Sequence, residues 1–519
     1  MKQVDVVDSN SAEAAAHTRA LVDKLWSYCD VLRDAGVPAI DYVEQLTFLL
    51  FLKMMDEKEK KAKEKAERRK LPTPPPILPV GISWDLLASK KGPDLKDYYE
   101  HLLRELGKRK GMFGLIFAGA QNRIQTTSLL ERLIKELIGK IHWSREGVDV
   151  KGDAYEELLS RSASDVKSGA GQYFTPRPLI QAMVDVMQPT PDDMIVDPSC
   201  GTGGFLLLAN EYIRREFRME ALNPDQRNRV TKGLAFHGVE LVRATARLAA
   251  MNMLTHGVVP DEHYEIIKVG DALVDEPTVH ATLVLANPPF GQKTAINVVD
   301  ENGKIIKDEA IYSERNFWVK TKNKQLNFVQ HIAKLMKIGG RAAVVLPDNV
   351  LFEGGAGEKI RRELLKDYDM HTMLRLPTGI FYAGGVKANV LFFERRRPAA
   401  EPWTKKLWVY DFRTGERFTL KQRPLRREHL QEFVNAYLPG KDREERVETE
   451  RFKPFTYEQL LARDKVNLDI SWLKDTSADL EEELSPHEIA NSIAADLETA
   501  LEQIRTIAES LSIPAEKGW

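Results

Sequence analysis

Ala286-Asn287-Pro288-Pro289-Phe290 is the stretch on which the reading of this chain turns. The apolar run Leu283 to Ala286 leads straight into it, the pattern of a buried strand. Two successive prolines cannot continue a ladder, so the strand ends at Asn287. The turn leaves an Asn amide, rigid backbone carbonyls and an aromatic face at a strand tip. In an open α/β sheet, ligands bind at that edge. An exocyclic amine on a base is a poor nucleophile because its lone pair is delocalised into the ring. The Asn287 side-chain oxygen and the Pro288 carbonyl can both accept hydrogen bonds from such an amine, which biases the nitrogen toward sp3 and frees the lone pair. Phe290 can stack on the base, a contact worth about 1–3 kcal/mol. A proline-rich turn that merely closes a strand is the other reading of the same five residues, and the rest of the chain decides between them.

Upstream, Met194 to Asp197 reads as a short buried strand. Pro198-Ser199-Cys200-Gly201-Thr202-Gly203-Gly204 follows, then a helix from Phe205 to Glu216. Strand, glycine-rich turn and helix open a nucleotide-binding βαβ unit. The spacing matches neither the dinucleotide nor the P-loop fingerprint, and no Lys follows to hold phosphates. What remains is a ligand whose carboxylate or amine rests against glycine backbone, with Asp197 ready for an ammonium; the α-amino and α-carboxyl groups of methionine suit such a turn. Gly201 and Gly203 let the backbone approach closely. A second strand, Gly233 to Val239, ends at Glu240, placed to take both hydroxyls of a ribose. The polar stretch Arg214 to Lys232 reads as an insertion, and Arg243 to Leu254 as a helix. A third strand, Tyr264 to Val269, ends at Gly270-Asp271, where Asp271 either accepts from an adenine amine or caps the next segment. In a parallel sheet, the tips carrying Asp197, Glu240, Asp271 and Asn287 share one edge.

Before this region, residues 12 to about 140 read as helical, with Tyr42, Leu46, Leu49-Leu50 and Met54 at helical spacing. Lys58 to Lys70 mixes both charges and reads as a solvated continuation of that helix. Leu71 to Pro79 is a proline-rich loop, and a last helix covers Leu129 to Ile141. A helix is expected over Asp153 to Asp165. Thr175-Pro176 is a helix start, with Thr as N-cap and Pro at the first helical position. Tyr173 and Phe174 are then either a staple on that helix or an aromatic loop over a cofactor.

Downstream, Gly291 to Lys324 is long, charged and aperiodic, and reads as a loop that orders over DNA or a partner. A helix from Phe328 to Met336 is expected to stop at Gly339-Gly340. A strand from Ala342 to Leu346 ends in Pro347-Asp348-Asn349, and Ile360 to Leu365 is a helix. Met370 to Leu376 and Val390 to Glu394 read as strands, the second near a hairpin with Leu407 to Tyr410. Phe381 to Gly385 can shape a pocket. Leu430, Phe433, Val434 and Tyr437 mark a helix. Ile489 to Leu511 is amphipathic, suited to packing on its own chain or docking to a partner's helices.

The whole has 519 residues, enough for about three or four domains. A net charge of −2 supplies no global basic field for nucleic acid, so a DNA substrate needs a partner's grip. Cys29 and Cys200 are the only cysteines, which points to a reducing cytoplasm and against a cysteine zinc site. No signal peptide and no apolar run of membrane-spanning length is found.

Tyr173-Phe174-Thr175-Pro176, Asp197 to Phe205 and Asn287-Pro288-Pro289-Phe290, in that order, resemble the amino-methylating DNA methyltransferases. Gly238-Val239-Glu240, the Arg247 to Asn252 helix and Leu346-Pro347-Asp348-Asn349 extend the likeness to the modification subunit of type I restriction–modification systems. Ser199-Cys200 departs from the small alanines frequent there. The resemblance implies an α/β, Rossmann-like class I S-adenosylmethionine-dependent methyltransferase sheet, with an all-α N-terminal domain and a helical C-terminal tail. Residues 1–150 are then the helical domain, 151–425 the catalytic domain and 426–519 a partner-docking region. It implies S-adenosylmethionine as methyl donor, adenine N6 in DNA as acceptor, and no metal. Asn287, Pro288, Pro289 and Phe290 would hold the extruded adenine. Gln172, Tyr173, Phe174, Thr175, Pro176 and Arg177, with Asp197, Gly201, Thr202, Gly203, Gly204, Glu240 and Asp271, would bind the donor. The expected partners are DNA, a specificity subunit shared by two modification subunits, and a restriction subunit. N4-cytosine methylation, glutamine methylation of a protein and a catalytically silent DNA-binding scaffold for a nuclease are the rivals.

Overall fold

The computed structural model describes residues 23–32, 39–72, 76, 78–79, 81–124, 126–140, 175–258, 264–275, 277–290, 296–299, 305–308, 317–381, 386–419 and 423–473. The helices expected over 153–165 and 489–511 and the loop residues Gln172, Tyr173 and Phe174 lie outside them. In chain order the strands are β1 (Ile195–Asp197), β2 (Phe236–Glu240), β3 (Ile267–Val269), β4 (Ala281–Ala286), β5 (Ile296–Val299), β6 (Ile305–Asp308), β7 (Met336–Pro347), β8 (Tyr368–Arg375), β9 (Ala388–Arg395), β10 (Lys406–Asp411) and β11 (Phe452–Thr456). The chain forms two compact units, one of Met1–Gly171 with Cys200–Gly270 and one of Gln172–Ser199 with Asp271–Trp519.

In the first unit a helix runs unbroken from Ala39 to Arg68, burying Tyr42, Leu46, Leu49, Leu50 and Met54 as their spacing predicts. Its charged end is laced by i,i+4 pairs such as Lys63–Glu59 at 2.7 Å, the solvated continuation expected there. The helix expected over Leu129 to Ile141 starts earlier, at Thr127, and from Leu133 to Ile138 widens into a π-helical turn. That turn buries Leu133, Ile134, Leu137 and Ile138, so core packing sets its pitch. β2 and β3 pair in parallel, Gly238 opposite Ile267 and Glu240 opposite Val269. β2 begins only at Phe236, because the Phe236 N–H closes a turn on the Gly233 carbonyl (3.0 Å) and Gly233 has φ +73°. The polar insertion holds a short helix, Pro224–Thr231, with a reciprocal Asn223/Gln226 cap.

Arg247, on the helix Arg243–Thr255, binds the N-terminal helices within this unit. Its guanidinium pairs with Glu44, donates to the Ala118 carbonyl at 2.8 Å and lies over the Phe48 ring. Only about 7 % of Arg247 is exposed, and its buried charge is matched by the half-buried Glu44 carboxylate, the condition under which burial is tolerated.

In the second unit the strands run in the order β11-β10-β8-β9-β7-β4-β1. β1, β4 and β7 are parallel, with Val196 opposite Val284 and Ala286 opposite Val344. Alternate residues (Val284 and Ala286, Val344 and Leu346, Leu391 and Phe393) join a core with Leu326, Val329 and Ile332 of the helix Lys324–Leu335 and Ile360 and Leu364 of the helix Ala356–Asp367. On strand residues of the opposite parity, Phe392 and Tyr410 meet Phe433 of the helix Gln431–Tyr437 at 5.9 and 5.4 Å. Cover on both faces explains why these strands read as continuous apolar runs.

Several expectations are corrected here. Gly339-Gly340 stops no helix; the helix ends at Leu335, and β7 passes through the pair with Gly339 at φ +83°. The Gly291 to Lys324 stretch is not without secondary structure, since β5 and β6 pair antiparallel, Ile296 opposite Asp308, on β-branched sequence. β9 pairs with β7 and β8, not with Leu407 to Tyr410, and β10 runs parallel to β8. Ala388 to Phe393 is wholly buried, and such a strand needs neighbours on both sides. Beyond residue 425, β11 pairs with β10, and Leu460, Val466, Leu468 and Ile470 enter the same core. The sheet and core of the second unit therefore extend at least to Ile470.

Candidate active site

In the first unit, the Cys200 N–H donates to the Val239 carbonyl (3.0 Å) and the Gly203 N–H to the Cys200 carbonyl (2.8 Å), which folds 200–203 into a tight turn against β2. Gly201 and Gly203 hold φ of +53° and +82°, a backbone that disfavours L side chains. The helix Gly204–Glu216 starts at Gly203. Asn252 donates to the Thr202 carbonyl at 3.1 Å, tying the turn to the Arg243–Thr255 helix. Glu240 bends back over the turn: one carboxylate oxygen accepts from the Gly201 N–H (3.0 Å) and the other from the Val242 N–H (2.8 Å). An oriented carboxylate beside glycine amides fits a ligand with both an amino-acid end and a ribose, as S-adenosylmethionine has.

In the second unit, parallel strands β1, β4 and β7 deliver Asp197, Asn287 and Asp348 to one sheet edge. Asp197 is buried and accepts from the Ser199 N–H at 3.0 Å. Asn287 is half-buried, and its Nδ2 donates to the Thr175 hydroxyl at 2.9 Å. Its Oδ1 is buried with no hydrogen-bond partner among the described residues. A buried acceptor held ready in this way is costly unless something donates to it. Phe290 meets Phe381 edge-on, ring centroids 5.7 Å apart, so Phe381 does border the turn. The Phe290 carbonyl accepts from Gln325 Nε2, and Gln325 Oε1 accepts from Asn349 Nδ2 at 2.6 Å.

Asp348 takes a two-pronged bond from Arg413 (2.7 and 2.8 Å) and another from Asn389 (2.7 Å). Burial alone would raise its pKa, but the Arg413 bonds and charge outweigh that and hold the carboxyl below its usual range. Asp271 caps the next segment: it accepts from the Leu273 N–H at 2.9 Å. Thr175 is not the helix cap expected of it. The helix Arg177–Met187 has Pro176, which carries no polar side chain, at the cap position, and the Thr175 hydroxyl accepts from Asn287. Gln325 carried no sequence signal, since its helix reads as starting at Phe328; Asn349 stood in a marked strand-end motif without a role. Among the described residues, no group of three or more His, Cys, Asp or Glu is placed to hold a metal, and no helix is long and apolar enough to cross a membrane.

The family described as N-6 DNA Methylase matches residues 146–477, and the HsdM N-terminal domain matches residues 21–139. The chain is 36% identical to the type I restriction enzyme StySJI methylase subunit of Salmonella typhimurium, covering 95% of each chain. It is also 36% identical to the EcoKI methylase subunit of Escherichia coli, covering 96% of each. The crystal structure of the EcoKI M protein matches 96% of this chain and 97% of its own with a TM-score of 0.51 and 33% identity. The fold is thus the class I S-adenosylmethionine-dependent methyltransferase fold preceded by an all-helical region. The chain belongs to the N-6 DNA methylase family, as a type I restriction–modification methylase subunit that transfers a methyl group from S-adenosylmethionine to N6 of adenine in DNA.

Proposed function

We propose that Asn287 and Pro288 hold the amine of an extruded target adenine and that Phe290 stacks on its face, with Pro289 keeping the turn rigid. The single observation behind this reading is the Asn287 amide, whose nitrogen is engaged by Thr175 and whose buried oxygen has no partner among the described residues. An adenine N6 amine supplies the missing donor. Accepting both amine hydrogens, at Asn287 Oδ1 and the Pro288 carbonyl, makes the N6 lone pair available for in-line attack. Extruding the base costs a few kcal/mol, and positioning supplies most of the rate.

On the donor side we assign Gly201, Thr202, Gly203 and Gly204 to the amino-acid end, with Asp197 toward its ammonium. Glu240 takes the ribose hydroxyls, and Asp271, besides capping the next segment, stands toward the adenine ring. Gln172, Tyr173, Phe174, Pro176 and Arg177, and Thr175 through its backbone, complete the set. S-adenosylmethionine supplies an electrophilic sulfonium methyl. These residues orient it and keep water from the acceptor nitrogen. The DNA sequence is chosen by a separate specificity subunit, with two modification subunits to one specificity subunit and a restriction subunit joining them in the cytoplasm. The near-neutral net charge of −2 favours that division of labour, since the grip on phosphates then comes from the partner.

The test is Asn287→Ala in the full chain assembled with its specificity subunit. Methylation is expected to fall at least about a hundredfold, as for loss of a group acting on developing charge, with donor affinity retained. Methylation at the unaltered rate would refute the assignment. Mapping the methylated bases in DNA distinguishes N6-adenine from N4-cytosine, and donor binding without any methylation would favour the silent scaffold.

A further inference from the structure

The tips of β4 and β7 are joined by side chains that no sequence motif links. Gln325 sits in the first turn of the helix Lys324–Leu335, about 2 % exposed. Asn323 caps that turn, its Oδ1 accepting from the Gln325 N–H at 3.0 Å. From there the Gln325 side chain spans two strand ends, donating through Nε2 to the Phe290 carbonyl and accepting through Oε1 from Asn349 Nδ2 at 2.6 Å. The polarity of this chain is not free. A peptide carbonyl can only accept, so the NH2 end of Gln325 must face Phe290. Its oxygen must then face Asn349, and Asn349 must present its NH2. The next residue, Asp348, is clamped by Arg413 and Asn389, so the far end of the relay is anchored in the sheet.

We propose that Gln325 and Asn349 are positioning residues for the methyl transfer: a polarised amide relay that ties the Asn287 to Phe290 turn to the end of β7 and holds the Phe290 ring where the base stacks. Neither touches the reacting atoms. Their effect falls on the geometry of the turn, hence on turnover more than on donor affinity. The inference rests on the assignment of that turn to the target base.

The polarity supplies the test, made on the full chain with its specificity subunit. Gln325→Glu keeps the shape, but an ionised carboxylate cannot donate to the Phe290 carbonyl, whereas its protonated form can. Its kcat is therefore expected to lie about tenfold or more below the wild type at pH 8 and to close that gap as pH falls toward 5.5, while Gln325→Leu shows a similar deficit at both pH values. Asn349→Asp is expected to lower kcat more than Asn349→Ala, because Asp sets an acceptor against Gln325 Oε1. A role in packing alone predicts the opposite order. Donor Kd should stay within about twofold for all four. The relay is overturned if Gln325→Glu matches the wild type at pH 8, or if Asn349→Asp is more active than Asn349→Ala. If Asn287→Ala retains full activity, the assignment of the turn fails instead. If Asn287→Ala is inactive while the relay variants are normal, only the relay fails. The half-buried Asn349 pair decides the matter should the Gln325 variants not fold.

Discussion

Replacing Gly203 should weaken donor binding in an order that size does not predict. Gly203 holds φ +82° and ψ +15° at the start of the helix Gly204–Glu216. A Cβ placed there would meet the Ala249 Cβ at 3.5 Å, an ordinary contact, so space is not the constraint. The cost comes from the left-handed backbone, roughly 1–2 kcal/mol for an L residue. If Gly203→Ala escapes that strain by relaxing the turn, donor Kd rises about 5- to 30-fold. Asn enters this conformation more readily than Ala, so Gly203→Asn should lose less although its side chain is larger. Gly203→Val, β-branched, should lose more than either, and Gly203→Asp, which adds a carboxylate to the turn assigned to the donor's amino-acid end, should abolish binding. Equilibrium binding of labelled S-adenosylmethionine to the full chain measures the series, with thermal melting to verify folding. A ranking by size, with Asn worse than Ala, or an unchanged Kd in Gly203→Ala, would refute the conformational argument.

Two further outcomes follow from the geometry. Thr175→Val removes the acceptor for Asn287 Nδ2 and leaves an N–H unsatisfied at a half-buried group, a cost near the low end of about 1–3 kcal/mol. Steady-state methylation should show kcat lowered about fivefold with donor Kd little changed, while Thr175→Ser, which keeps the hydroxyl, should lie near the wild type; a Thr175→Val enzyme at the wild-type rate would refute the role of the hydroxyl. His237 on β2 is pushed down to about 4 by burial and, secondarily, by the nearby Lys268 charge. The unfolded chain takes up a proton at the ordinary value of 6.5 and the folded chain does not, so stability present above that pH is lost as pH falls toward 4. At pH 5 the loss is at most about 2 kcal/mol, and thermal unfolding of His237→Phe compared with wild type at pH 7.5 and pH 5 should show the acid sensitivity reduced. Equal pH dependence in both proteins would contradict it.

The elements and the chemistry class were legible from local pattern. Leu283 to Phe290 announced a strand stopped by two prolines, and the helix Arg243–Thr255 and the glycine turn at 201–204 followed from spacing and glycine placement. Each of these depends on neighbours along the chain, and backbone propensity acts at that range. Local pattern misled where tertiary packing outweighed it. Gly339-Gly340 ends a helix by propensity, yet β7 runs through it, the two glycines lying at a register irregularity between Met336, opposite Ala281, and Arg341, opposite Leu283. Thr175-Pro176 is a cap by propensity, yet the hydroxyl serves Asn287, 112 residues away. The Glu240 contact with the Gly201 amide spans 39 residues and the Gln325 bond to Phe290 spans 35. From its residues alone, then, this protein declared which strands, turns and reactive groups it would have. Only folding decided which way the Asn287 amide faces and what braces the turn around it, because a hydrogen bond depends on distance and direction in space, and residues remote in sequence acquire both only when the sheet brings them together.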